Sequence, residues 1–508
     1  MEVTMNVLTS LRRVAERQPA KVALSHRGAV LTYAELFDQG ARFGAFLRSE
    51  GVEPGQRVGI YMHNQPEWMI ALLGIWQAGA VAVPFNYLFH PSALRHAAVD
   101  SDALWIVTPA TDVEKLRDTL DGLAVTERII SVGRAEGAAL SFEDTVATAP
   151  AATIVPRMDD DDALLMYTSG STGQPKGVRQ THRNTTAVCE ATIDTWSLTP
   201  DDHALVCTPL FHVGGLQLLT LPLLLAGGSV TLRRWQVEEW LDDVVALRPT
   251  VLALVPAMMF DIVNSLGDGQ MSLDSVRVCA IGGSALPQAK LRALTTATGI
   301  VAVNIYGQTE QSGLSITEPL DRPRREGSLG TPLQQIVQTR VVLEGQERDA
   351  EHGEVGELWV RGDAVTPGYW QLPEVNATRI TSDGWFRTSD LVSVDSDGYF
   401  YFVDRADDMI ISGGENVYPQ MVEGHLATCP LIREVAVIGT AHERFGQQVT
   451  AIVVPRDATV TAEDIAAYCE GDANLRGLQR PRRIEIVDAI PRTATNKIDR
   501  PTLKKAYR

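Results

Sequence analysis

The chain has 508 residues, 45% of them hydrophobic and 21% charged, the composition of an ordinary globular protein too long for a single core. Two or more domains are therefore expected. A net charge of −18 disfavours a general nucleic-acid binder, because phosphate backbones select basic surfaces, and an anionic substrate would need positive charge supplied locally.

The five cysteines, Cys189, Cys207, Cys279, Cys429 and Cys469, are scattered without a C-x-x-C pair. That argues against zinc and against a disulfide framework, and fits a reducing cytosol. Met1-Glu2-Val3-Thr4-Met5 lacks the charged-then-apolar layout of a secretory signal, so a cytoplasmic protein is expected. Two long uncharged runs, Trp68 to Phe89 and Val213 to Val230, contain Gln77, Pro84 and Asn86, and Gln217, Pro222 and paired glycines respectively. They read as buried helix-turn-strand units rather than membrane spans.

In chain order, Leu8 to Arg17 has helical spacing, and Val22 to Leu24 and Val30 to Thr32 look like short strands around a turn. Thr32-Tyr33-Ala34-Glu35 starts a helix that continues through Leu36 to Leu47. Strands are expected at Val58 to Tyr61 and Val81 to Pro84, with a helix from Pro66 to Ala78 between them. Further strands follow at Ala163 to Met166, His203 to Cys207, Val230 to Leu232, Val251 to Leu254 and Val276 to Ile281. Alternation of this kind implies α/β architecture, with parallel sheets covered by helices. From Gly356 the pattern shifts to short strands and turns, Gly356 to Gly362 and Tyr399 to Val403. Past Arg405 a compact α+β segment ends in the basic stretch Arg480 to Arg508. The favoured boundary is the polar stretch Asp404 to Asp408, dividing the chain into 1–404, a hinge at 405–409, and 410–508.

The most informative stretch is Tyr167-Thr168-Ser169-Gly170-Ser171-Thr172-Gly173-Gln174-Pro175-Lys176-Gly177, directly behind an apolar strand. Glycines let backbone N–H groups approach an anion, hydroxyls donate to phosphate oxygens, and Lys176 adds a mobile positive charge. A flexible linker seldom carries Pro-Lys-Gly immediately after a buried strand. The P-loop of nucleotide triphosphatases fails by order, since Lys176 precedes Gly177 and Val178 follows. A loop that holds a nucleotide triphosphate remains the functional reading.

This stretch resembles the signature of the AMP-forming acyl- and aryl-CoA synthetases, adenylation domains and luciferases. Leu210 to Gly215, Ile305 to Glu310, Trp385 to Asp390, Arg405 to Pro419 and Pro491 to Arg500 resemble that family's remaining motifs, in order. The resemblance implies a large N-terminal domain of two doubly wound sheets plus a distorted β-barrel, and a small mobile α+β C-terminal domain. It implies a two-step reaction in which a carboxylate attacks the α-phosphorus of ATP, giving acyl-AMP and pyrophosphate, and a thiol then displaces AMP.

By the same resemblance, Thr168, Ser169, Gly170, Ser171, Thr172, Gly173 and Lys176 bind the triphosphate. Glu310 and Thr168 hold Mg²⁺, a role that hard carboxylate oxygen suits. Gly283, Ser284, Asn304, Tyr306, Gly307, Gln308, Thr309 and Phe402 surround the adenine, with Asn304 as its amide partner. Asp390, an acceptor-only carboxylate, grips the ribose hydroxyls, and Arg405 donates to ribose or phosphate. Ser389 stands where the family usually has glycine, which puts the tightness of that turn in question. Lys497 matches the lysine that bridges carboxylate and α-phosphate, with Asn496 in place of the common glycine. His212 lies beside the acyl site. Asp407 resembles the hinge about which the small domain rotates, bringing Gly413-Gly414-Glu415-Asn416 to the pantetheine arm. A plain Gly-Gly hairpin turn is the structural alternative there.

Val213 to Val230 contains no acidic residue. A buried substrate ammonium would lack a carboxylate partner, which points to an uncharged fatty or aryl acid. The leading expectation is an acid–CoA ligase, with Phe445 and Arg480 resembling contacts to the nucleotide part of CoA. The alternative is a stand-alone adenylating enzyme that loads an acyl carrier protein's phosphopantetheine. A luciferase-like oxygenase has no specific support, and a non-enzymatic binding module would not need Lys176, Glu310, Asp390 and Lys497 together. Whether the chain works as a homodimer is left open.

Overall fold

The computed structural model describes residues 6–134, 140–150, 153–168, 174–267, 269–284, 288–322, 324–343, 348–413, 415–472, 475–493 and 497–507. Internal contacts divide the chain into two compact units. The larger takes Met1–Thr168, Gln174–Gln338 and Arg361–Phe386, and the smaller takes Thr339–Val360 and Arg387–Arg508.

The larger unit is built on two mixed sheets whose middles are parallel. The nine-stranded sheet runs, edge to edge, Thr331–Pro332, Ile316–Thr317, Ala302–Tyr306, Val278–Gly282, Val251–Leu254, His203–Val206, Ser229–Leu232, Val22–His26 and Ala29–Thr32. The seven-stranded sheet runs Leu140–Ser141, Ile129–Val132, Trp105–Pro109, Arg57–Ile60, Val81–Pro84, Asp162–Thr168 and Lys176–Thr181. Strands buried on both faces read as short apolar runs, which is why the alternating pattern was visible in the sequence.

The first uncharged run folds as the helix Pro66–Gln77 and the strand Val81–Pro84, with every residue from Trp68 to Gln77 buried. A helix apolar all round belongs inside a large core. It meets the helix Tyr33–Ser49 through glycines: a Cβ on Gly74 would stand 2.6 Å from the Phe43 ring, and one on Gly44 2.7 Å from Gly74 O. The second run forms the helical turn Val213–Gly215, a π-helical turn Leu216–Thr220, the helix Leu221–Ala226 and the strand Ser229–Leu232. Pro222 lacks the N–H that a regular helix would use here, and the widened turn precedes it. Among the described residues no helix is long and apolar enough to cross a membrane.

The smaller unit contains the four-stranded sheet Gln338–Val342, Gly356–Arg361, Phe386–Val394 and Phe400–Arg405, whose first three strands each have one end residue in the larger unit. Phe386–Val394 and Phe400–Arg405 pair antiparallel in this sheet, the part of the chain expected to form the distorted β-barrel. The C-terminal part is α+β: Glu415–Val417, Ile410–Ser412, Gly446–Pro455 and Ile432–His442 lie side by side, and Arg483–Ile486 also pairs with Gly446–Pro455. The helices Pro419–Leu426, Ala462–Gly471 and Arg500–Ala506 complete it. All five cysteines are free and buried.

His182 opens the helix His182–Trp196 and is 1% exposed, its ring centroid 6.0 Å from that of Trp76. Burial, reinforced by Arg157, pushes its pKa from 6.5 down to about 4. Below pH 6.5 the unfolded chain takes up a proton that the native state refuses, so stability falls as the pH drops from 6.5 towards 4. The full loss at this site is about 3 kcal/mol. His182→Gln should flatten the dependence of unfolding free energy on pH across that window by up to one proton. Melting or urea titration of both proteins at pH 6.5 and pH 5 checks this.

Candidate active site

In the larger unit, Asp162–Thr168 and Lys176–Thr181 pair antiparallel, with Tyr167 opposite Gly177 and Thr168 opposite Lys176. The second of these strands was not visible as one in the sequence, because its polar residues hide the alternation. Thr168 and Lys176 thus form the two shoulders of the phosphate-loop candidate. Ser169, Gly170, Ser171, Thr172, Gly173 and, elsewhere, Gly414 lie outside the described residues.

A segment that sequence reasoning passed over, Thr366-Pro367-Gly368-Tyr369-Trp370, stitches this hairpin to the Tyr306–Glu310 turn. Trp370 N–H donates to Gly177 O (2.7 Å) and Arg179 N–H to Gly368 O (3.1 Å). Thr366 N–H donates to Glu310 O (2.8 Å), and its hydroxyl donates to Arg179 O (2.5 Å). Tyr369 Oη donates to Glu310 Oε1 at 2.7 Å, while Lys176 Nζ sits 5.8 Å from the centroid of the same ring. Gln180, fully buried, donates to Thr309 O at 2.7 Å. Gly368 was the available signal: its φ of +137° and a Cβ that would lie 2.9 Å from Asn376 Oδ1 demand glycine.

The strand Ala302–Tyr306 delivers Asn304 and Tyr306 to the same end of the nine-stranded sheet. Asn304 is held by its own N–H to Glu318 Oε2 (2.8 Å), and its side-chain N–H donates to Ser328 O (2.7 Å). Tyr306 is buried, and Gly307 must be glycine because a Cβ would meet Gly313 O at 2.4 Å. Gln308 precedes the short 3₁₀ turn Thr309–Gln311, where Thr309 and Glu310 are half-buried. On the neighbouring strand, Val278–Gly282, the chain turns at Gly283 with φ +91°, and both Gly283 and Ser284 are exposed.

His212 caps the Val213–Gly215 turn, its Nδ1 accepting from Gly214 N–H at 3.2 Å. In the neutral ring that places the proton on Nε2. Next to it, Phe211 meets Tyr87 edge-on at 4.9 Å, and Tyr87 lies 3.9 Å from the His63 ring.

In the smaller unit, Asp390 is 3% exposed and pairs with Arg405 across adjacent strands, Arg405 Nη1 to Oδ1 at 3.0 Å. Phe402, half-buried, stands opposite Val392 in the same pair. Ser389 adopts φ +59°, the left-handed conformation its usual glycine would take. Its N–H is held by Glu357 Oε1 (2.9 Å) and its carbonyl by Ala406 N–H (2.8 Å). The tight turn survives the substitution. Exposed Asp407 accepts at its carbonyl from Lys504 (3.1 Å), and Asp408 pairs with the same lysine (2.9 Å). Arg500, on the C-terminal helix, pairs with nearly buried Glu423. Lys497 is exposed, its N–H bonded to Thr493 Oγ1 (3.2 Å) and its carbonyl to Thr493 N–H (2.7 Å). Ile410–Ser412 and Glu415–Val417 pair as a hairpin with Ser412 opposite Glu415, and Gly413 has φ +59°. Phe445 is covered by the Arg482 guanidinium at 4.5 Å and flanked by Arg444 at 5.3 Å, while Arg480 pairs loosely with Glu470.

In the larger unit a lysine, a carboxylate and a flat phenol, set around glycine turns that a Cβ would block, suit a nucleotide. Residues 11–370 match the AMP-binding enzyme family, and residues 421–497 match the AMP-binding enzyme C-terminal domain. The chain belongs to the AMP-binding enzyme family. It is an AMP-forming ligase. The chain is 36% identical over 499 residues to a feruloyl-CoA synthase of Amycolatopsis sp, covering 97% of this chain and 98% of the relative. It is 31% identical to an oxalate–CoA ligase of Arabidopsis thaliana, covering 96% of each. Among solved structures, ATP-bound MatB from Rhodopseudomonas palustris superposes with a TM-score of 0.91 at 28% identity over 99% of both chains. The anthranilate CoA ligase AuaEII in complex with anthranoyl-AMP gives 0.88 at 26% identity, covering 100% of this chain and 98% of that one.

The left-handed Ser389 makes a specific prediction for this AMP-binding enzyme. Ser389→Gly should leave stability within about 1 kcal/mol of the parent, because relief of strain offsets the added chain entropy. Ser389→Val should lose about 2 kcal/mol or more, since a β-branched residue tolerates positive φ poorly. Thermal melting of the two variants distinguishes them.

Proposed function

We propose that this chain activates an uncharged organic acid with ATP and Mg²⁺, releasing pyrophosphate, and passes the acyl group from acyl-AMP to the thiol of CoA. The observation that carries this reading is the Tyr369 bridge, which holds Lys176 and Glu310 on one ring between the phosphate-loop hairpin and the Tyr306–Glu310 turn.

In this reading Thr168, Lys176 and the intervening loop bind the triphosphate. Glu310 and Thr168 bind Mg²⁺, which would screen phosphate charge when bound. One protein carboxylate suits a magnesium ion shared with a nucleotide, and among the described residues no group of three or more His, Cys, Asp or Glu could hold a metal. Asn304, its amide N–H engaged by Ser328, presents its carbonyl oxygen to the adenine amino group, with Tyr306, Gly283, Ser284, Gly307, Gln308, Thr309 and Phe402 as the surrounding surface. Asp390 and Arg405 serve the ribose. His212 directs its Nε2 proton at the acid's carboxylate. Lys497 stabilises charge as that carboxylate attacks phosphorus, and rotation about Asp407 then exchanges it for the Gly413–Gly414 hairpin and the pantetheine arm.

The Phe211–Tyr87–His63 aromatic run beside His212 supports an aryl acid, as does the feruloyl-CoA synthase relative. Phe445 with its arginines suits the nucleotide part of CoA, and the named relatives are CoA ligases, which supports free CoA over a carrier protein. A panel of aryl and fatty acids in a pyrophosphate-release assay, with CoA or holo-carrier protein as acceptor, tests the assignment. Pyrophosphate release with some uncharged acid and CoA consumption are expected; no release across the panel overturns it.

Lys497→Ala should lower the rate of pyrophosphate exchange by about 10²–10³-fold, the scale of a lost charge-stabilising donor. Thioester formation from supplied acyl-AMP should suffer far less, and an equal fall in both half-reactions would refute the role. Asp407→Pro should do the reverse, slowing thioester formation more than adenylation.

A further inference from the structure

The helix Pro91–Ser101 carries His96 and Asp100, four residues apart and therefore neighbours on one face. His96 Nε2 lies 3.0 Å from Pro175 O, to which it must donate, and Asp100 Oδ2 accepts from Tyr167 Oη at 2.5 Å. Pro175 adjoins Lys176, and Tyr167 adjoins Thr168. One helix face thus grips both shoulders of the phosphate-loop hairpin.

The helix is itself fastened. Arg95 donates to Thr119 O (3.1 Å) and Asp121 O (2.9 Å). At its C-terminal end Arg57 donates to Ser101 O (2.7 Å) and Asp102 Oδ2 (2.9 Å), and stacks 5.1 Å over the Trp370 ring. The Trp370 indole N–H in turn donates to Asp100 O at 3.0 Å. Burial, and then the Asp100 carboxylate, hold the Tyr167 phenol protonated, so it remains a donor at any working pH. The short phenol–carboxylate contact is of the charge-assisted kind.

A hairpin needs no outside ties to close, so two ties from one anchored helix call for a reason. We propose that the Pro91–Ser101 helix is a buttress that sets the spacing of the loop's shoulders and thereby the affinity for ATP, with His96 and Asp100 as positioning residues. The inference rests on reading Thr168 to Lys176 as the phosphate loop. Its energetic logic is that of preorganisation: misplacement by an ångström at such a loop is expensive, and side chains locked by packing prevent it.

His96→Ala, Asp100→Ala and Tyr167→Phe each remove one tie, whereas His96→Gln keeps a donor and Asp100→Asn keeps an acceptor. The measurements are ATP KM and kcat in pyrophosphate exchange, the Kd of MgATP by calorimetry without acid, thioester formation from supplied acyl-AMP, and melting temperature. The three disruptive variants should raise ATP KM and Kd about tenfold, the effect of one lost partly charged hydrogen bond. The KM for the acid and the thioester step should be unchanged, and the Gln and Asn variants should stay within about threefold of the parent. The proposal is overturned if folded variants bind MgATP normally, or if acid KM and thioester formation deteriorate equally, as general loosening would cause. Lys176→Ala separates the two levels. If it too binds MgATP normally, the phosphate-loop reading fails. If it weakens binding while the helix variants do not, the buttress alone fails.

Discussion

The constraint on which the larger unit's site depends is the placement of one phenol between two opposite charges. A lysine and a glutamate brought to the same place would ordinarily collapse into an ion pair and cancel. Tyr369 prevents this by offering its π face to Lys176 and its hydroxyl to Glu310, and among the described residues no ion pair joins the two. Each charge keeps a weak partner, worth about 0.5–1.5 kcal/mol, rather than a strong one. A polyanion and its counter-cation can then compete for both. On a chain of net charge −18, keeping such a cation uncancelled matters more than having many of them.

Tyr369 was illegible from sequence for a physical reason. It works through a strand-like bridge to Val178, a hydrogen bond to Glu310 and a cation–π contact with Lys176, long-range ties that no periodicity reports. What could be read was whatever sheet burial writes into a local pattern: the apolar strands at Val58, Val81, Val251 and Val278, and the helix Pro66–Gln77. The strand Lys176–Thr181 escaped because Lys176, Arg179 and Gln180 break the apolar run, although Gln180 is fully buried. Its carboxamide is tied to Thr309 O, so burial here answers to a hydrogen bond and not to hydrophobicity. The motif order drew attention to Tyr167–Gly177 and Tyr306–Glu310, but the segment Thr366–Trp370 that joins them bears only a glycine turn as its mark.

Ser389 illustrates how a departure from a family pattern is absorbed. The turn before Asp390 needs a positive φ, and serine supplies it because both flanking amide groups are paired, to Glu357 and Ala406. Glu357 also accepts from the Trp359 indole at 2.8 Å, so the carboxylate that steadies the turn is itself fixed. Strain of this size persists only where neighbours over-determine the conformation. The cost falls on the backbone next to Asp390, and the carboxylate keeps its pairing with Arg405.

The two lysines differ in a way that follows from desolvation. Lys176 is half-buried at the end of a sheet strand. It is placed by strand pairing with Thr168, by the Trp370 N–H bond to Gly177 O, and by contact with the Tyr369 ring. An ammonium held this way pays part of its hydration permanently and is suited to a partner present throughout a reaction. Lys497 is exposed, and its backbone N–H and carbonyl are both bonded to Thr493. In the proposed mechanism Lys497 acts in only one of the two steps, and an exposed lysine gives up no buried contact on leaving the site.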